Sequence, residues 1–164
     1  MGRSAAYWAT NLYPDNRQEP KPAAPYRDLP AIEGTRFRRV REGLLQLDGV
    51  HEQVKFMGVP WRWAWEYTLG NRKLCWLHVM AGGPTGTFAV SDIEERKALA
   101  LASLAAAVVA SLQGGQRTGP VKWCWLDFTD QKAVDAFLGF ARRKHGWLLS
   151  EAPSSPMSRK PLAG

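Results

Sequence analysis

Residues 61–80 read WRWAWEYTLGNRKLCWLHVM and contain four of the eight tryptophans in this chain of 164 residues. Aromatic and other residues alternate from Trp61 to Leu69, and side chains two positions apart leave the same face of a β-strand. Gly70-Asn71 suits a two-residue turn, because both residues tolerate positive φ. Residues 72–80 are a second extended run. The stretch therefore predicts a β-hairpin around which the rest of the chain is organised.

The turn at Gly70-Asn71 also predicts the register of the hairpin. If Leu69 faces Arg72, the alternation places nearly all the aromatic side chains on one face, which we call the aromatic face. Glu66 then lies on the opposite face, with Arg62, four residues before it on the same face, as its ion-pair partner. The pairs expected to meet on the aromatic face are Tyr67 with Leu74, Trp65 with Trp76, Trp63 with His78, and Trp61 with Met80.

The other patterns predict a helix and a short strand before the hairpin, and two strands and two helices after it. Ser91 and Glu94 form a capping box, in which each side chain satisfies a backbone donor at a helix start. The order of elements predicts an α+β domain of two layers, a mostly antiparallel twisted sheet with helices on one face. The predicted elements are a helix from Thr35 to about Leu47, strands from Gln53 to Met57, Thr87 to Val90 and Val121 to Phe128, a buried helix from Ser91 to about Gln113, and a helix from Asp130 to Lys144 that stops at Gly146.

Proline and charge divide the chain into three parts. Residues 1–34 are a proline-rich arm, residues 35–150 are a single α+β domain, and residues 151–164 are a disordered tail. The arm also holds Tyr7, Trp8 and Tyr13. Disordered segments are usually poor in aromatic residues, so part of the arm is expected to fold back onto the domain.

The composition favours a soluble, cytoplasmic protein with no membrane partner. No apolar stretch near the start is typical of a signal peptide, and the longest apolar run, Ala98 to Leu112, is too short to cross a bilayer. Cys75 and Cys124 lack partners at metal-binding or redox spacing, which predicts two buried thiols in a reducing compartment. We expect no cofactor and no metal.

Several short motifs resemble the 3788 family of domains of unknown function, a group of small bacterial domains, and its YdhG-like relatives. These motifs are Glu52-Gln53-Val54-Lys55, Gly58-Val59-Pro60, Trp63-Ala64-Trp65-Glu66-Tyr67, Leu74-Cys75-Trp76-Leu77 and the strand from Lys122 to Phe128. The resemblance covers about Thr35 to Trp147 and implies an α+β sheet domain, with no catalytic residues to transfer.

The layout is also similar, more distantly, to the GyrI-like small-molecule-binding domains, which line a pocket in a sheet with aromatic residues and a carboxylate. Those domains usually hold two repeats, whereas this chain shows one. The resemblance therefore implies a ligand pocket, and it leaves open whether two copies form a homodimer to complete that pocket.

Two interpretations of the aromatic face compete. It is either core, covered by the alanine-rich helix, or an apolar cleft that holds an apolar or aromatic small molecule. The second interpretation predicts a binding module with no chemistry of its own. Trp123 and Trp125 join the cleft if their strand has matching parity, and Glu66 is included by the resemblance to the GyrI-like domains. The candidate ligand-binding residues are Trp61, Trp63, Trp65, Glu66, Tyr67, Trp76, His78, Trp123 and Trp125.

Two alternatives remain open. The first is a small hydrolase that uses Glu66 or His78 as its catalytic group. The second is a nucleic-acid-binding protein, because the net charge is +7 and two basic clusters could contact phosphates. A solvated helix face is the commoner explanation of such charges. The clusters are Arg36, Arg38, Arg39 and Arg41, and Arg142, Arg143 and Lys144.

Overall fold

Twelve helices and strands follow one another between residues 3 and 151, the part of the chain that the computed structural model describes. Apart from Glu151, the predicted C-terminal tail lies outside this part. The helices are α1 (Ala5–Trp8), α2 (Pro25–Asp28), α3 (Ala31–Leu45), α4 (Asp92–Leu99), α5 (Ala106–Gln113) and α6 (Gln131–Ser150), and the strands are β1 (Val50–Phe56), β2 (Trp63–Leu69), β3 (Arg72–Met80), β4 (Gly83–Ser91), β5 (Gln116–Thr118) and β6 (Val121–Asp127).

The six strands form one sheet in the order β1-β2-β3-β4-β6-β5, and every neighbouring pair is antiparallel. The predicted α+β fold is confirmed. The turn at Gly70-Asn71 joins β2 to β3 as predicted, and Gly70 has a φ of +60°. In the described part of the chain, no helix is long and apolar enough to span a membrane.

The predicted hairpin register is correct only next to the turn. Leu69 faces Arg72 and Thr68 faces Lys73, but Tyr67 then faces Cys75, so that Leu74 is an extra residue in β3. Such a β-bulge turns every later side chain of its strand to the other face of the sheet. Trp76 therefore lies opposite Glu66 and not opposite Trp65. The bulge divides the predicted aromatic face between the two faces of the sheet.

One face of the sheet, which we call the covered face, packs against α3, α5 and α6. Trp65 and Phe37 of α3 meet edge to face with ring centroids 5.4 Å apart. Gly86 of β4 lets α6 approach, because a Cβ atom there would lie 2.4 Å from Phe137 Cε2. The strand side chains on this face include Trp63, Trp65, Tyr67, Cys75, Leu77, Val79, Phe88, Cys124 and Leu126, all of them buried.

The other face of the sheet, which we call the open face, carries no helix longer than α1 in the described part of the chain. Its rows follow from the strand register: Glu66 faces Trp76, Trp76 faces Thr87, and Thr87 faces Trp125. Ala64, His78, Thr85 and Trp123 belong to the same face by their alternation along the strands.

The N-terminal arm crosses from the open face to the covered face. Residues 10–12 lie beside the end of β3, where Ala81 N donates to Thr10 O at 2.8 Å and Leu12 N donates to Val79 O at 3.0 Å. Before this crossing, Trp8 contacts His78 on the open face. After it, residues 13–30 lie on the covered face, and Trp65 Nε1 donates to Pro22 O at 3.0 Å. The arm is therefore folded onto the domain.

Three helix predictions differ from the structure. The first predicted helix was expected to start at Thr35, but α3 starts at Ala31 with Pro30 as its N-cap, and Thr35 lies within it. The capping box at Ser91 and Glu94 is confirmed, but the long helix it was expected to open is two helices separated by residues 100–105. The break lets α4 contact β4 while α5 packs on β6 and α6. The last helix continues past Gly146, because Leu148 is buried in the core and Trp147 packs on Phe140.

Candidate functional site

A hollow of about 480 Å³ lies on the open face, and we call it the tryptophan trough. Strands β3, β4 and β6 form its floor, the arm closes one side, and β5 contributes to its rim. Five of its lining residues are Trp8, Trp61, Trp76, Trp123 and Trp125, and the others are Arg3, Met57, His78, Thr87, Gln116 and Thr118. The trough is thus an aromatic hollow with a few polar groups, as is usual for small-molecule sites.

Five of the nine residues predicted from the sequence line this trough: Trp61, Trp76, His78, Trp123 and Trp125. Trp63, Trp65 and Tyr67 do not, because the bulge leaves them on the covered face with exposed fractions of 7% or less. For these three residues, the interpretation as core is correct. Glu66 lies on the open face directly beneath Trp76 and does not line the trough.

Trp76 is held by a hydrogen bond to a buried carboxylate. Its Nε1 donates to Glu66 Oε2 at 2.9 Å, and Lys73 Nζ donates to Glu66 Oε1 at 2.9 Å. Burial alone would raise the pKa of Glu66, but these two hydrogen bonds and the charges of Lys73 and Lys55 outweigh it and lower that pKa. Glu66 therefore pairs with these lysines and not with Arg62 as predicted, and it positions the Trp76 ring.

His78 is the deepest polar group of the trough, with 5% of its surface exposed. Its Nε2 lies 2.7 Å from Thr87 Oγ1, while its Nδ1 is buried without a hydrogen-bond partner in the described part of the chain. Burial, together with the charge of Arg3, lowers the pKa of His78 to about 3. The ring is therefore neutral at physiological pH.

Trp61 stands at the rim, in the loop between β1 and β2. Met57 N donates to Arg62 O at 2.8 Å and Arg62 N donates to Gly58 O at 2.7 Å, which closes the loop. Arg62 has a φ of +64°, a left-handed conformation that is uncommon outside glycine. With 47% of its surface exposed, Trp61 is the most accessible tryptophan of the trough.

The sequence analysis missed the two wall residues that the arm contributes, Arg3 and Trp8. The Trp8 ring is 4.9 Å from the His78 ring, at an angle of 65°. Asn11 anchors the arm there, because its side-chain amide donates to Trp61 O and Trp63 O at 3.1 and 3.0 Å. The aromatic residues of the proline-rich arm were the only local signal of this docking.

The contact between His78 and Thr87 is the one arrangement of polar groups in the trough that is typical of catalysis. A hydroxyl beside an imidazole is the arrangement of a nucleophile and its general base. Here no acidic group holds Nδ1 of His78, and a pKa of about 3 makes the imidazole a weak base. Within residues 3–151, no group of three or more His, Cys, Asp and Glu side chains is placed to hold a metal ion.

Most cations of the two basic clusters are already paired. Arg41 donates to both oxygens of Glu52 at 2.8 Å, and Arg38 and Arg39 pair with Glu42 and Asp135. Lys144 is buried beneath β4 and donates to Ala89 O. Few of these charges remain for phosphate contacts, which favours the interpretation of a solvated helix face.

Comparison with protein families, with curated proteins and with solved structures finds no match for this chain. The resemblances inferred from the sequence therefore stay predictions.

Proposed function

We propose that the protein is a binding module whose tryptophan trough holds a small, flat, aromatic molecule. The observation that carries the proposal is the convergence of five tryptophans from four places in the chain on one hollow. The arm supplies Trp8, the β1–β2 loop supplies Trp61, β3 supplies Trp76, and β6 supplies Trp123 and Trp125.

The position of the trough supports this proposal. The hydrophobic core lies on the covered face, where β2 contributes three buried aromatic residues, Trp63, Trp65 and Tyr67. Of the five indoles on the opposite face, Trp8 and Trp76 are buried, whereas Trp61, Trp123 and Trp125 keep part of their surface accessible. Soluble proteins seldom leave large apolar surfaces together without a binding role.

The size and ring arrangement of the trough fit one small ligand. About 480 Å³ lies within the usual range for small-molecule sites. The rings of Trp76 and Trp123 have centroids 5.3 Å apart and are inclined by 48°, so they already contact each other. A flat ring placed against the partly exposed rings of Trp123 and Trp125 would gain stacking contacts in addition to burying apolar area.

Calorimetric titration with a panel of small aromatic compounds, indole derivatives among them, tests the proposal. We expect saturable binding that Trp123→Ala weakens about tenfold, since stacking and apolar burial are both lost. Trp147→Ala is the matched control, because Trp147 lies in α6, packs on Phe140 of the same helix and does not line the trough. If no compound binds saturably, or if both variants weaken binding equally, the proposal fails.

A further inference from the structure

We infer that the ligand is an aromatic carboxylate, with its ring among the tryptophans of the trough and its carboxylate on Arg3. The inference rests on the proposed function and adds the chemical class of the ligand. It depends on the polar side of the trough, where Arg3 and His78 both face the cavity.

Among residues 3–151, Arg3 is the only charged residue that lines the trough. Its Nη1 donates to Asp127 at 2.7 Å, and its guanidinium lies 4.4 Å from the centre of the Tyr7 ring. A guanidinium has five N–H donors, so a single bond to Asp127 leaves others for a second carboxylate. Arg3 can therefore bind an anion without first losing Asp127.

Of the two partners in this ion pair, only the cation, Arg3, lines the trough. Asp127 does not line the trough but a separate hollow of about 230 Å³, together with Tyr7. The Asp127 side chain is 50% exposed and that of Arg3 is 20% exposed, so water screens the aspartate more strongly. A ligand in the trough thus meets a cation beside apolar walls, where charge-assisted hydrogen bonds are strengthened.

His78 supplies a second, independent reason to expect a polar group on the ligand. Its Nδ1 is one of three buried side-chain atoms without a hydrogen-bond partner among residues 3–151, and it is the one that belongs to a residue lining the trough. Such atoms are costly unless something pairs with them. Because the imidazole is neutral, it adds no charge that would compete with Arg3. If Thr87 donates to Nε2, the Nδ1 atom carries the proton and is a donor, as an anionic ligand requires.

A cationic aromatic ligand is the main competitor. Tryptophan faces attract cations, and five indoles around one hollow would suit an ammonium group. Arg3 opposes this choice, because a second cation would lie against the guanidinium in a poorly solvated site. For ligands that share one ring, an aromatic carboxylate site therefore predicts that the acid binds most tightly, whereas a cation site predicts that the amine does.

Titration with indole-3-acetate, indole-3-ethanol and tryptamine separates these cases, because the three compounds differ mainly in the charge at the end of one side chain. We expect indole-3-acetate to bind at least about tenfold more tightly than the alcohol, and tryptamine more weakly than the alcohol. Arg3→Gln should abolish the preference for the acid and leave the affinity for the alcohol within about twofold. Arg17→Gln, at a side chain with 87% exposure that does not line the trough, should change none of the three affinities.

The possible outcomes distinguish this inference from the proposed function. Equal affinities for the acid and the alcohol, tighter binding of tryptamine, or a preference for the acid that survives Arg3→Gln would overturn the assignment of an aromatic carboxylate. Each of those results would leave an aromatic ligand in the trough. If none of the three compounds binds saturably, the proposed function itself is contradicted.

Discussion

His78 makes the stability of the fold depend on pH in a specific range. Its pKa is about 3 in the folded protein, against 6.5 for the ordinary imidazole. Between these values the unfolded chain binds a proton that the folded protein does not bind, so the folded state loses stability as the pH falls. Above 6.5 both states are neutral at this residue, and its contribution no longer changes.

The expected loss follows from this difference in proton binding. A difference of one proton changes the free energy of unfolding by about 1.4 kcal/mol per pH unit. When the pH falls from 6.5 to about 5, the free energy of unfolding should decrease by about 1.5 kcal/mol. The decrease is gradual at first, because the unfolded imidazole is only partly protonated near pH 6.5. Carboxylates add their own contributions at lower pH, so the comparison belongs above about pH 5.

Urea unfolding at a series of pH values, for the wild-type protein and for His78→Gln, isolates this contribution. Glutamine can still hydrogen-bond Thr87 but does not titrate, so its curve should be flatter by about 1.5 kcal/mol over this range. The absolute stability of the variant does not matter, because the slope is the measurement. If the free energy of unfolding changes with pH in the same way in the two proteins, His78 is not a buried, neutral imidazole in the folded protein.

Three further predictions concern packing, the Trp76 hydrogen bond and the thiols. Gly86→Ala should lower the free energy of unfolding in urea by about 1–3 kcal/mol, because the added Cβ atom would clash with Phe137. Gly82→Ala is the control and should cause no such loss, because a Cβ atom there has nothing within 4 Å. Equal losses for the two variants would contradict this packing. Trp76→Phe should cost about 1.5–3 kcal/mol in the same assay by removing the N–H that Glu66 accepts, and no loss would show that this bond is unimportant. Burial raises the pKa of Cys75 and of Cys124, so both should resist a thiol reagent until the protein unfolds, and rapid labelling of the native protein would exclude the buried sites.

Local patterns predicted most of the sheet. The alternation from Trp63 to Leu69, the turn at Gly70-Asn71 and the capping box at Ser91 each depend on neighbours within a few residues, and the structure has all three. The same alternation put Trp123 and Trp125 on one face of their strand, but only the register with β4 decided that this is the open face. Patterns of this kind are local, and the sequence displays them directly.

The bulge at Leu74 could not be placed in this way. Leu74 and Cys75 are both apolar and both buried at 1% exposure, so the sequence is compatible with either register. The signal available was the interruption of the alternation by two adjacent apolar residues. One extra residue moved Trp76 and His78 to the open face, and so it decided which of the predicted residues form the trough.

The remaining errors arose from contacts between distant parts of the chain. Arg3 and Trp8 reach the trough because Asn11 binds carbonyl groups about fifty residues away. The alanine-rich segment has helical propensity throughout, but the sheet and α6 require it to turn at residues 100–105. Propensity cannot reveal either requirement, because tertiary packing overrides it.

The central claim is that five of the eight tryptophans surround a ligand site and three do not. The most direct test follows the indole N–H signals in a nitrogen-15 NMR spectrum while indole-3-acetate is added. The account predicts saturable shifts for Trp8, Trp61, Trp76, Trp123 and Trp125, with Trp63, Trp65 and Trp147 unchanged. Shifts confined to those last three residues, or no shifts at all, would contradict it.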